Sequence, residues 1–253
     1  MAGFGPLLRK ELLEAWRTLR LPIVAVVFLL VGFSSPLLAR FTPQILKAVA
    51  GNQIPFVLPD PTTADAVDQL AKNLGQFGGL IAILLAMGAV ATERERGTAA
   101  MILTKPAGRA AFLGAKLVAI GVTLAAGVAV ATAGSWFYTL VLFGPLPPSG
   151  VAAAAVLQWL VFMAWASITF LASTITRSSL AAAGIGIVGF IGLGIAGALP
   201  TVERFVPTGL GRPARALSLG IAGPDPWTPA AATILLVAAS VSLAWLAFRR
   251  QEL

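Results

Sequence analysis

Between two long apolar runs lies the stretch Thr92, Glu93, Arg94, Glu95, Arg96, Gly97, Thr98, followed by Pro106, Arg109 and Lys116. Carboxylates alternating with guanidiniums offer charge-assisted hydrogen bonds of both polarities. Gly97 permits a sharp reversal of the chain, and Pro106 stops one helix from running on while being suited to start another. Between them, Thr98 can cap a short helix over 99–104, with Met101, Ile102 and Leu103 as its apolar side. This is the chemistry of gripping a soluble partner, because a loop that merely turns between two spans needs none of these groups.

Bond-making chemistry is restricted. The 253 residues contain no Cys and no His, which excludes thiolate nucleophiles, disulfides, His-ligated metals and His general bases. No phosphate-binding G-x-x-x-x-G-K-[ST] loop occurs, so the chain cannot bind and hydrolyse ATP by a P-loop of its own. The spacing Gly184, Gly186, Gly189 formally matches a dinucleotide fingerprint. It lies inside an apolar run with no preceding strand, so Gly186, Gly189, Gly192, Gly194 and Gly197 are read as sites of close helix approach. No cofactor and no metal are expected in this chain, and no catalytic residue is assigned.

The elements that must position the charged stretch follow from composition. With 58% hydrophobic and 11% charged residues, the chain is far from the roughly 25% charged of soluble domains. Runs near the ~20 residues that cross a hydrocarbon core recur along it. The expected fold is an all-α integral membrane protein in one domain. Six transmembrane helices fall at about 21–39, 74–91, 112–143, 151–174, 181–199 and 229–248. An N-terminal interfacial amphipathic helix precedes them at 5–20. In that helix Leu8, Leu12, Trp16 and Leu19 share a face, Lys10 and Glu14 stand four apart, and the basic residues suit anionic membrane lipid.

With the N-terminus inside, twelve of the eighteen Lys and Arg residues fall on the inner side. The positive-inside rule then places both termini in the cytoplasm. The segment 92–111 becomes a cytoplasmic loop, and 40–73 and 200–228 become external loops. The proline-rich first half of 40–73 is expected to be irregular, and Thr62 with Asp65 to start a helix. In 200–228, Val202, Phe205, Val206 and Leu210 either cover the outer mouth or belong to a solvated loop. Lys116 is expected to reach towards the interface. The net charge of +8 is scattered over span ends rather than gathered in one patch, so no nucleic-acid partner is expected.

No Asp, Glu, Lys or Arg lies near the middle of a span, which argues against an ion-driven carrier. Thr132, Ser135 and Tyr138 in the third span, and Gln158, Ser167 and Thr169 in the fourth, admit two readings. They are hydrogen-bonding groups between helices, or they form a translocation surface for an amphipathic substrate.

The run Glu93 to Thr98 with Pro106, Arg109 and Lys116 resembles the first cytoplasmic loop of type-2 ABC export permeases. The segment Leu8 to Leu12 resembles the interfacial helix before their first span. The resemblance implies a permease subunit in the plasma (inner) membrane of a prokaryote, paired with a second permease chain, as a homodimer or with a related permease. Mg-ATP would be hydrolysed on separate ABC-type ATPase subunits. Glu93, Arg94, Glu95, Arg96, Gly97, Thr98, Met101, Pro106 and Arg109 would contact the ATPase, with Arg177 in a second, smaller contact. The alternatives are a non-ABC membrane scaffold or assembly subunit, and an autonomous secondary transporter. The transported substrate does not follow from these residues.

Overall fold

A computed structural model describes residues 3–50, 59–95 and 108–250. Helix α1 (Phe4–Arg17) lies against the bundle, and α2 (Arg20–Ala50) is the first span. The second span is composite: α3 (Thr63–Asn73), a π-helical turn (Leu74–Gly78), α4 (Gly79–Met87), a turn at 88–90 and α5 (Ala91–Glu95). Helices α6 (Arg109–Leu142), α7 (Pro148–Ile175) and α8 (Ser179–Gly197) follow. Two 3-10 turns (Glu203–Phe205, Pro207–Leu210), α9 (Gly211–Leu219) and the last span α10 (Trp227–Arg249) complete the chain. Six of these helical stretches are long and apolar enough to cross a membrane, and there is no strand among the described residues.

Several boundaries differ from expectation for identifiable reasons. Helix α1 ends at Arg17, not 20, because Leu19 adopts a left-handed conformation (φ 61°) that no helix continues through. Helix α2 runs eleven residues past 39, so Pro43 lies inside a helix and not in an irregular loop. Each internal proline follows a hydroxyl residue that satisfies a carbonyl one turn back. Ser35 Oγ donates to Val31 O (2.6 Å) and Thr42 Oγ1 to Leu38 O (2.6 Å). The carbonyls that Pro36 and Pro43 leave without a backbone donor are the next ones along, those of Gly32 and Ala39. Thr62 and Asp65 do form a reciprocal capping box at the start of α3. Part of 200–228 is ordered as two 3-10 turns and α9, with Val206 and Leu210 buried and Phe205 exposed.

The core is aromatic and small-residue packing among spans. Phe28 meets Phe162 edge-on at 5.9 Å, Trp165 meets Phe190 edge-on at 5.3 Å, and Phe112 stacks on Phe248 at 5.7 Å. Helices α2 and α6 cross closely at Gly32, where an added Cβ would overlap the Ala131 carbonyl. Gly32→Leu is therefore expected to destabilise the bundle by about 2–3 kcal/mol, since the obstructing atom is backbone and cannot rotate away. Unfolding in mixed micelles by SDS titration reads this, and an unchanged midpoint would refute it. In α8, Gly186, Gly189 and Gly197 do admit neighbouring side chains. Gly192 and Gly194 face open space among the described residues, so for these two the close-approach reading fails within the chain.

Candidate functional site

Span ends converge on the face that carries α1, here called the proximal face. The composite second span is broken just before it. After Met87, the turn at 88–90 interrupts the helix, and the backbone N–H groups of Val90 and Ala91 donate to one oxygen, Ser173 Oγ of α7, at 3.1 and 3.0 Å. Ser173 is fully buried, so this hydroxyl replaces acceptors that neither water nor the helix ladder supplies. Thr92 Oγ1 lies 3.1 Å from Ser179 Oγ of α8.

Helix α5 then distributes its charges over three neighbours. Arg94 donates to Thr174 O (2.9 Å) and Thr176 O (3.4 Å), the carbonyls that end α7. Glu95 accepts from Ser179 N (3.0 Å) at the beginning of α8. A cation on a helix C-terminus and an anion on the next helix N-terminus each match the local dipole. Two adjacent residues of opposite sign thus clasp the two sides of the connection between α7 and α8.

Glu93 turns inwards. Its Oε1 accepts from Lys116 Nζ at 2.7 Å, and Lys116 also donates to Glu11 of α1 at 3.1 Å. Lys10 approaches the same carboxylates, 3.1 Å from Glu11 and 3.7 Å from Glu93, and pairs with Glu14 at 3.3 Å as its spacing predicts. The Lys116 side chain is only 7% exposed. Two carboxylates, on α1 and α5, hold its ammonium, and Phe112 lies 5.1 Å from it. Burial works to raise the pKa of Glu11, but Lys116 and Lys10 outweigh it and hold the carboxyl below its ordinary range. Burial likewise opposes charge on Lys10, while Glu11, Glu93 and Glu14 together raise its pKa.

Arg109, at the start of α6, donates to Phe248 O (3.2 Å) and Arg249 O (2.9 Å) at the end of α10. Of the residues assigned to a partner contact, Glu93, Arg94, Glu95 and Arg109 thus engage groups of this chain. Arg177 is exposed in the short link between α7 and α8. Arg96, Gly97, Thr98, Met101 and Pro106 lie outside the described residues.

The six polar residues of the spans separate into groups. Ser167 and Thr169 are fully buried and donate to Ala164 O and Trp165 O of their own helix, both at 2.9 Å. Tyr138 packs on Phe33 (5.0 Å) and Phe137 (6.0 Å). Thr132, Ser135 and Gln158 line a cavity of about 70 Å³ near the opposite, distal face, with Arg215 and Ser218 of α9 among its walls. Arg215 is pinned there by Asp68 of α3 at 2.6 Å. Sequence reasoning did not see the two donors that meet Ser173, and it passed over Glu11. A Lys two turns into an apolar helix was the one available signal that carboxylates had to meet it.

A multi-span helical membrane protein, with its span ends tied together around one charged interhelical segment, is the class that this fold and site define. The chain belongs to the ABC-2 transporter family: the model of that family, described as "ABC-2 family transporter protein", matches residues 6–201. It is also 32% identical over 195 residues to the uncharacterized transmembrane protein YxlG of Bacillus subtilis (strain 168), covering 72% of this chain and 71% of that protein. The family anticipated from Glu93 to Thr98 is the one found, and the chain is a membrane transport component of that family.

Proposed function

We propose that this chain is the permease subunit of an ATP-binding cassette exporter in the plasma membrane, with its proximal face in the cytoplasm. It has no catalytic role of its own. It couples Mg-ATP hydrolysis on a separate ATPase subunit to translocation or to conformational work, and it functions as a homodimer. The observation that best supports this reading is the clasp made by α5. Force applied to the segment after Glu95 reaches α7 through Arg94, α8 through Glu95, and α1 and α6 through Glu93 and Lys116. Movement of one loop would therefore be delivered to four helices at once, which is what a subunit driven from outside requires.

In this reading Arg96 to Pro106 supply the ATPase contact, Arg177 extends it, and Glu93, Arg94, Glu95 and Arg109 hold the loop's flanks in place. Thr132, Ser135 and Gln158 are the better candidates for contact with substrate, since Ser167 and Thr169 are committed to their own helix.

The test is co-purification in lipid with a candidate ABC-type ATPase, followed by measurement of ATP hydrolysis. The wild-type complex is expected to be stable, with turnover that responds to the presence of the permease. Gly97→Pro should remove that response while leaving the six-span bundle folded. An ATPase that is folded and active yet forms no complex with the chain would overturn the reading in favour of a scaffold.

A further inference from the structure

Two cavities open beside the clasp and share the walls Arg20, Leu85, Gly88 and Thr92. They differ in character. One, of about 300 Å³, is a charged chamber under α1, where Lys10, Lys116 and Arg20 face Glu11, Glu14 and Glu93. The other, of about 380 Å³, is an apolar slot between α2 and α4, walled by Ile23, Val24, Val27, Ile81 and Leu84. Ile23 and Leu84 are more than half exposed, so the slot opens sideways towards hydrocarbon.

Arg20 stands at the junction of chamber and slot. Among the described residues it makes no hydrogen bond or ion pair, whereas each of the other five charged groups of the chamber is paired. A guanidinium at the membrane interface, free of protein acceptors, is suited to bidentate binding of a phosphate. With Arg20 counted, the chamber carries equal numbers of cations and carboxylates, three of each. A headgroup bearing only negative charge would enter against three carboxylates. One that also carries an ammonium leaves the balance unchanged and offers N–H donors to Glu14 and Glu93.

We propose that this cleft is a binding site for an aminophospholipid of the leaflet on the proximal side. Its phosphate rests on Arg20, its primary amine lies in the charged chamber, and one acyl chain lies in the slot between α2 and α4. The site is formed within this chain and stands whether or not an ATPase pairs with it. The bound lipid would touch α1, α2, α4 and α5 together, next to the turn that Ser173 supports.

The test uses the full chain, purified in detergent and offered equal amounts of phosphatidylethanolamine, phosphatidylglycerol and phosphatidylcholine. Lipid retained per chain is read by native mass spectrometry. Phosphatidylethanolamine is expected to be retained several-fold over the other two. Arg20→Gln should weaken that retention about tenfold, the scale of one lost charge-assisted hydrogen-bonded contact. Arg20→Lys, which keeps the charge but loses the planar fork, should recover only part of it, and Leu84→Trp, which fills the slot without touching the charged groups, should also reduce it. Arg20 and Leu84 are exposed and outside the clasp, so both variants should fold. Equal retention of the three lipids, preference for phosphatidylglycerol, or wild-type binding by Arg20→Gln would each overturn the proposal.

Discussion

Lys116→Met is expected to destabilise the protein by about 3 kcal/mol, the lower end for removing one partner of a buried ion pair, because it leaves two carboxylates with little water and no buried cation. Glu11 and Glu93 are 14% and 16% exposed, so a little hydration softens the loss. The decisive comparison is the triple variant Lys116→Met, Glu11→Gln, Glu93→Gln. Replacing a whole buried ionic cluster by neutral groups is often nearly neutral in stability, so most of the loss should return. SDS-titration unfolding in mixed micelles measures both, and a triple variant as weak as the single one would refute the account. Acid provides a second arm of the same experiment. Because the folded pKa of Glu11 lies below its ordinary value, its contribution is present above that value and is lost as pH falls through the depressed one. Wild-type stability should therefore drop in that acid window, and the triple variant should lack this component.

Ser173→Ala is expected to cost about 2–4 kcal/mol, since it strands two buried backbone donors, each worth roughly 1–3 kcal/mol when left unsatisfied. The side chain is small and no cavity of consequence forms, so the effect reports hydrogen bonding rather than packing. Ser173→Thr keeps the hydroxyl and should retain most of the stability if the extra methyl is accommodated. The affected element is α5, which carries Glu93, Arg94 and Glu95. In an assembled complex, Ser173→Ala should thus reduce the response of ATP hydrolysis to the permease more than an equally destabilising change at Gly32. If Ser173→Ala unfolds as the wild type does, Val90 and Ala91 have other acceptors and the support role is wrong.

The spans and the interfacial helix were legible because burial in hydrocarbon demands long apolar runs, and because α1 alternates charge and bulk at helical spacing. Their ends were less so. The prolines after Arg40 read as an irregular loop, yet Pro43 lies inside α2. The charged stretch was recognised, but the destination of its charges was not. Arg94, Glu95 and Arg109 bind backbone groups at the ends of α7, α8 and α10, and a backbone carbonyl or N–H leaves no mark on residue type. Ser173 could not be told from Ser167, since a hydroxyl that bonds a neighbouring helix and one that bonds its own look the same in sequence. The partners of Lys116 were not legible because depth along the helix was visible and the position of Glu11, far away in the chain, was not.

That distance also orders the birth of the protein. Glu11 is followed by 105 residues before its partner Lys116 is made. Arg109 must wait a further 139 residues for the carbonyl at 248. During synthesis, which proceeds from the N-terminus, α1 therefore rests on the bilayer without its anchor until the third span emerges. The last knot on the proximal face is tied only when the sixth span is in place. A nascent chain stalled before residue 116 has two spans, but it lacks the buried ammonium that joins the carboxylates of its first helix and its second span.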